Sequence, residues 1–211
     1  SAVPADGNYA IRISNVKGEI VLNTTYAAIK SDWEAGKKLS MPAGEYRFTA
    51  CSINGEIPEA EFEHPVYGAE KSFTIVAGQA TNLGTITCRL LQTKVTISYS
   101  NDFLDMVRGN CTASVAISQS SPLKYELSYN GGNPSYNQSA GYFKVNNGEQ
   151  TTMEVNFKGL MEDGEKTMNQ TFTNIKPCTW HQIKFIKKVN AFPLAHLLEH
   201  QTEFGTCFTH K

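Results

Sequence analysis

His196 and His200, four residues apart near the end of the chain, are the first residues whose spacing suggests chemistry, with Glu199 and Glu203 close by. If this segment were helical, positions four apart would share a face and the imidazoles could reach one zinc or nickel ion. The order, however, is H-L-L-E-H, whereas a metalloprotease needs its glutamate directly after the first histidine, as H-E-x-x-H. Two imidazoles on a surface helix make no catalytic centre. No metal site is expected.

The other candidates for chemistry are carboxylates and serines. Glu56, Glu59, Glu61 and Glu63 crowd one short stretch, Asp102, Asp105 and Asp163 stand apart, and Ser135 and Ser139 flank a Gly/Asn-rich segment. The glutamate run reads first as a solvated loop, then as a contact for a cation or partner, and last as an acid/base pair. No nucleophile elbow, phosphate-binding loop, dinucleotide fingerprint or EF-hand loop is present. The expectation is that the chain is no enzyme and uses no cofactor.

Aromatic side chains in loop-like segments offer a different chemistry, stacking on a sugar or anchoring a protein partner. Trp33, Tyr67, Tyr129 and Tyr136 are the candidate ligand contacts, each weighed against simple turn packing. Trp180 and Phe185 read as core. The five cysteines, Cys51, Cys88, Cys111, Cys178 and Cys207, form no CxxC pair, which argues against a zinc ribbon or thioredoxin-like site. Cys51 with Cys88 and Cys111 with Cys178 is one possible pairing. Free cysteines acting as small buried hydrophobes are the stronger expectation. Asparagines 23, 110, 137 and 169 each begin an N-x-S/T site, informative only in a host that glycosylates asparagine.

Composition narrows the partners. Nineteen Lys plus Arg against twenty Asp plus Glu leave a net charge of −1 over 211 residues, so no electrostatic footprint for nucleic acid exists. Apolar runs fall far short of the approximately 20 residues that cross a bilayer, and the opening SAVPADGNY lacks a signal pattern. A soluble ectodomain, a cytosolic domain and a trimmed mature chain remain open.

The elements that would position these residues are strands, because period-two alternation dominates. Tyr9, Ile11 and Ile13 alternate before a turn at Asn15 to Gly18, and Glu19 to Leu22 returns as the second arm of a hairpin. Tyr26 to Trp33 is left open between a strand and a short helix. Pro42 and Gly44 feed a strand with Tyr46, Phe48 and Ala50 on one face. Glu56 to Lys71 reads as an exposed excursion, followed by strands at Phe73 to Ile75 and at Ile86, Cys88 and Leu90. Val95, Ile97 and Tyr99 begin a second module. Asn101 to Val107 fits one short helix capped by Asp102. Further strands follow at Ala113 to Ile117, Met153 to Phe157, Phe172 to Ile175 and His181 to Phe185, with Tyr129 to Gly141 read as a long hairpin tip. Leu194, Leu197 and Leu198 then fit a short helical face. The expected division is 1–91, 92–188 and a 189–211 tail that is a short helix or an appendage.

The phrases MPAGEYRFTACS, HPVYGAEKSFTIVAGQATNLGTITCRL, QTKVTISYSNDF and SAGYFKV together resemble a Bacteroidetes surface-protein family of unknown function, described as adhesins or lipoproteins and similar to fimbrillin-like pilus proteins. The resemblance spans about Tyr9 to Lys187. It implies an all-β fold of two tandem transthyretin-like or immunoglobulin-like β-sandwich domains on the extracellular face of the outer membrane, or secreted. It implies contact with the membrane only through an N-terminal lipid anchor that this chain does not contain. The expected partners are a host protein or glycan at the cell surface, or neighbouring subunits joined by strand complementation through the segments before Tyr9 and after Lys187. The family brings no catalytic residues. The alternative is a glycan-binding surface lipoprotein.

Overall fold

Alternating apolar and polar residues separated by glycine and asparagine turns become strands throughout. In chain order the elements of the computed structural model are β1 (Ala10–Asn15), β2 (Ile20–Thr25), α1 (Tyr26–Glu34), β3 (Gly44–Cys51), β4 (Ala60–Phe62), β5 (Tyr67–Ile75), β6 (Arg89–Leu90), β7 (Gln92–Tyr99), α2 (Asn101–Leu104), β8 (Val107–Ile117), β9 (Leu123–Asn130), β10 (Asn133–Tyr136), β11 (Gly141–Lys144), β12 (Met153–Met161), β13 (Gly164–Phe172), β14 (Thr179–Lys187) and β15 (His196–Phe204). The structure describes residues 8–118, 120–146 and 150–187, and 196–204 as backbone. No helix among the described residues is long and apolar enough to cross a membrane.

The chain divides into two units. One comprises the described residues up to Ile57 together with Pro65–Leu91; the other comprises Pro58–His64 and the described residues from Gln92 onward. In the first, β2, β1, β3, β5 and β6 form one antiparallel sheet in that order. Tyr46, Phe48 and Ala50 turn to one face and meet Tyr9, Ile11 and Ile13 in a buried cluster. Residues of α1 and of the irregular stretch after β5 cover that cluster, among them Tyr26, Ile29, Leu83 and Ile86. The strand expected through Ile86 and Cys88 therefore shrinks to Arg89–Leu90. Asn82 explains this locally: its Oδ1 accepts the Gly84 N–H at 2.8 Å, and Gly84 has φ +66°, so a turn stands where extended chain was expected.

The second unit is sandwich-like. One sheet runs β10-β9-β8-β12-β13 and the other β15-β14-β7-β11-β4. Inward-facing Val95, Ile97, Ile183 and Phe185 of one sheet and Ala113, Val115, Tyr125 and Phe157 of the other belong to a single buried cluster. The β7–β14 pair is parallel, while the other pairings in the two sheets are antiparallel.

Several expectations change. Glu56 to Lys71 is no plain excursion, because it contains β4 and the start of β5. The short helix is only Asn101–Leu104, and Ser100 caps it, its Oγ accepting the Phe103 N–H at 3.2 Å. Asp102 lies in the first turn instead. Tyr129 to Gly141 is a tight Gly131-Gly132 hairpin followed by β10. The tail read as a short helix or appendage is, over His196–Phe204, a strand paired with β14 along its length. A strand advances about 3.3 Å per residue, so the helical face on which the His196/His200 pair depended does not exist.

Candidate functional site

The four aromatic candidates have different surroundings. Trp33, on α1, is 38% exposed and leans on Phe48 at 6.3 Å and Tyr26 at 6.5 Å between ring centres. It borders a cavity of about 210 Å³ walled by Ile11, Phe48, Ala50 and Ile86. Tyr67 opens β5 and is buried in the first unit's core. Tyr129 is half-buried against the second unit's core, and its N–H donates to Asn110 Oδ1 at 2.9 Å. Tyr136 stands edge-on to Tyr99 at 4.9 Å. Of the four, Trp33 is the most exposed, and it lines that cavity.

Trp180, expected in the core, lies on the outer face of its sheet. Thr179, His181, Ile183 and Phe185 are buried along β14, so the strand's period of two turns Trp180 outward. The ring carries Lys94 Nζ 4.0 Å from its centre and donates Nε1–H to Thr96 Oγ1 at 3.0 Å.

The glutamate run is dispersed among separate partners. Glu59 pairs with Lys144 at 3.2 Å and Glu61 with His64 at 2.9 Å. Glu63 is more constrained. Its backbone sits at φ +54°, its N–H donates to Ala140 O at 2.9 Å, and its carboxylate accepts the Ala140 N–H at 2.5 Å. This double link fastens the end of β4, while Phe62 packs edge-on against Tyr125 at 4.9 Å. Tyr125 in turn donates its hydroxyl to Val95 O at 3.0 Å. Burial, above all, raises the phenol pKa of Tyr125 and of Tyr99.

A buried polar network lies in the same sheet, at residues the sequence reading passed over. The Thr179 hydroxyl donates to Lys176 O at 2.6 Å, which uses its single proton. His181 Nε2, 3.0 Å from that oxygen, must therefore be the donor between them. Thr93 Oγ1 adds contacts at 2.8 Å to the Thr179 hydroxyl and 3.1 Å to the Thr179 carbonyl. Two threonines and a histidine at inward strand positions were the available signal. The network joins β7 to β14.

Among the described residues no group of three His, Cys, Asp or Glu side chains could hold a metal ion. Cys51, Cys88 and Cys111 are free thiols, so the possible Cys51–Cys88 and Cys111–Cys178 pairing is not formed; Cys207 lies outside the described residues. Along β3, Cys51 alternates away from the face of Tyr46, Phe48 and Ala50, whereas Cys88 is buried with that face. Burial, with a smaller contribution from Cys51, pushes the Cys88 thiol up to about 11. Burial takes Cys111 to about 11 as well, with the Leu160 backbone pulling the other way.

The remaining recognition elements are sheet edges, where backbone donors and acceptors stand unpaired. In the first unit they are β2, whose register shifts opposite Ile13/Ser14, and the two-residue β6. In the second unit they are the four-residue β10 containing Pro134, three-residue β4, and nine-residue β13 and β15.

A family model described as "Domain of unknown function (DUF4493)" matches residues 1–194. No curated protein matches the sequence. Among solved structures, the chain is similar to a fimbrial assembly protein from Parabacteroides distasonis, with 10% identity, TM-score 0.47, and 93% of this chain and 91% of that one covered. It is also similar to a candidate cell adhesion protein from Bacteroides eggerthii, with 7% identity, TM-score 0.45 and coverage of 93% and 89%. A third, a candidate cell adhesion protein from Bacteroides fragilis, has 10% identity, TM-score 0.37 and coverage of 98% and 87%.

Proposed function

The chain belongs to the DUF4493 family, and from that premise we propose that it is a noncatalytic cell-surface component, an adhesin or pilus-associated protein. In this reading its two units are transthyretin-like or immunoglobulin-like modules displayed outside the cell, and neighbouring subunits are joined by main-chain strand pairing. The fimbrial and adhesion names belong to those other proteins; we rest the reading on the edge strand β15. This strand pairs antiparallel with β14 at nine positions, Thr179↔Phe204 through Lys187↔His196. An edge strand bonded on one side only can be replaced by the same segment of a neighbour without altering the ladder beneath it. The segment after Lys187 thereby becomes the exchangeable element.

The test is incorporation of a fluorescent peptide with the sequence His196–Phe204 into the intact chain, followed by size exclusion with light scattering at high concentration. A stable peptide complex and an SDS-resistant, heat-labile ladder are expected. Failure of the peptide to enter, together with strict monomers at every concentration, would refute strand exchange.

Trp33 favours the second reading, a glycan-binding surface lipoprotein, because its half-exposed ring borders an apolar cavity. Under that reading Trp33→Ala abolishes glycan-array binding and leaves the subunit state unchanged.

A further inference from the structure

Among the described residues, one of the six sheet edges has a long run free of charge, proline and bulge. Natural edges are blunted by shortness, proline, bulges or charge. The first unit's edges have a register shift at β2 and only two residues in β6. In the second unit, β10 contains Pro134, β4 has three residues, and β15 carries Glu199 and Glu203 in its sequence. By contrast, β13 is nine residues long and pairs with β12 without a break from Met153↔Phe172 to Met161↔Gly164. Its two charges, Glu165 and Lys166, sit beside the turn, and from Thr167 to Phe172 the strand, TMNQTF, has no charge and no proline.

The hairpin fixes which backbone groups are free. Its two-residue turn closes on the Met161–Gly164 pair, so the even-numbered positions of β13 bond β12. The N–H and C=O groups of Glu165, Thr167, Asn169 and Thr171 therefore point outward. Their side chains lie on the solvent face, and all four residues are exposed. Met168 and Phe172 turn the other way and pack, half-buried, against the core.

We propose that β13 is a self-association edge: it pairs antiparallel with β13 of a second copy, about a two-fold axis through Asn169. Self-complementarity argues for that occupant. In this register Thr167 faces Thr171, Met168 faces Gln170, Lys166 faces Phe172 and Glu165 faces Thr173, so no like charges stand opposite. The Asn169–Asn156 amide contact of each copy continues across the axis as a row of four asparagines. Three facing pairs supply about six backbone hydrogen bonds. Centred on Thr167, the same pairing would set the two Lys166 side chains diagonally against each other, and centred on Thr171 it would leave almost no overlap. The contact is isologous and closes at two copies. It uses a different sheet edge from β15 exchange.

Sedimentation velocity on the full chain across a concentration series tests the assignment, with amide hydrogen exchange by NMR read on the same samples. A reversible monomer–dimer equilibrium is expected, with the amides of Thr167, Asn169 and Thr171 gaining protection as the dimer forms. Asn169→Lys places two lysines face to face and weakens the dimer at least tenfold. Thr171→Lys, a separate exposed site, weakens it too, while circular dichroism and the melting temperature stay near wild type. A chain that remains monomeric to millimolar concentration overturns the proposal. So does a dimer indifferent to both lysines, or occupation of this edge by the His196–Phe204 peptide in place of a second β13.

Discussion

Gly159 lies directly across from Cys111 in the β8–β12 ladder, and the fit between them allows a quantitative test. A Cβ built on Gly159 would sit 2.2 Å from Cys111 Sγ, 2.6 Å from its Cβ and 3.2 Å from its Cα. Turning the Cys111 side chain relieves the first contact but not the second, because Cβ moves only with the backbone. Both strands are central in their sheet, and Cys111 is 1% exposed, so there is little room to shift. Gly159→Ala is therefore expected to cost about 3 kcal/mol, the upper end of overpacking, reduced by up to about 1 kcal/mol from the lower backbone entropy of alanine. The partner variants separate the contributions. Cys111→Ala removes only Sγ and leaves the 2.6 Å contact, so it should not rescue Gly159→Ala, whereas Cys111→Gly removes both and should recover about 2 kcal/mol relative to additivity. Urea unfolding of the three single and two double variants, analysed as two double-mutant cycles, provides the measurement. If Gly159→Ala lies within about 0.5 kcal/mol of wild type, or Cys111→Ala rescues it as well as Cys111→Gly, the packing argument fails.

Gly141 should behave similarly toward Tyr125: a Cβ there would lie 2.3 Å from the Tyr125 hydroxyl oxygen. Gly141→Ala is expected to destabilise by about 2 kcal/mol, and Tyr125→Phe, which alone loses about 1–2 kcal/mol with the bond to Val95 O, should make that alanine less costly in thermal melts. Alkaline stability follows from the thiols. Cys88 and Cys111 keep their protons in the fold up to about pH 11, while in the unfolded chain they lose them from 9.0. Stability is therefore intact below pH 9 and lost as pH rises through 11, by roughly 2–3 kcal/mol per thiol. Denaturant midpoints measured from pH 8 to 10, before the buried tyrosines contribute, should fall in wild type and fall less steeply in each of Cys88→Ala and Cys111→Ala, and both thiols should resist thiol reagents at pH 8 in the folded protein.

Legibility in the sequence followed the range of the interactions that form each element. The β1–β2 hairpin was readable because alternation and an asparagine turn lie within one short stretch, and Asn15 Oδ1 indeed accepts the Lys17 and Glu19 N–H groups at 3.0 Å. The buried rows Tyr46, Phe48, Ala50 and Val95, Ile97, Tyr99 were readable for the same reason. β4 was not, since three residues carry no period and their partner β11 arrives some eighty residues later. In β15, Leu197 and Leu198 beside Leu194 imitate a helical stripe, and only the β14 edge decides for strand. Trp180 could have been placed correctly: the alternation of His181, Ile183 and Phe185 already points it outward, and residue type was weighed above register. Among the candidate contacts, Tyr67 was assigned to a loop because the pairing of Tyr67 with Leu90 is invisible locally.

The parallel β7–β14 pair also sets a timetable. Thr93 and Thr179, which meet across it, are 86 residues apart. At about 5–20 residues per second of synthesis, β7 precedes β14 by roughly 4–17 s. During that interval the β8–β13 segment can close its own hairpins, but the β14 side of β7 has no strand. Its apolar row, Val95, Ile97 and Tyr99, then lacks the part of its cluster that Ile183 and Phe185 supply. The sheet can be completed only once β14 has been synthesised, so its assembly is a long-range event that waits on a strand 86 residues further along the chain.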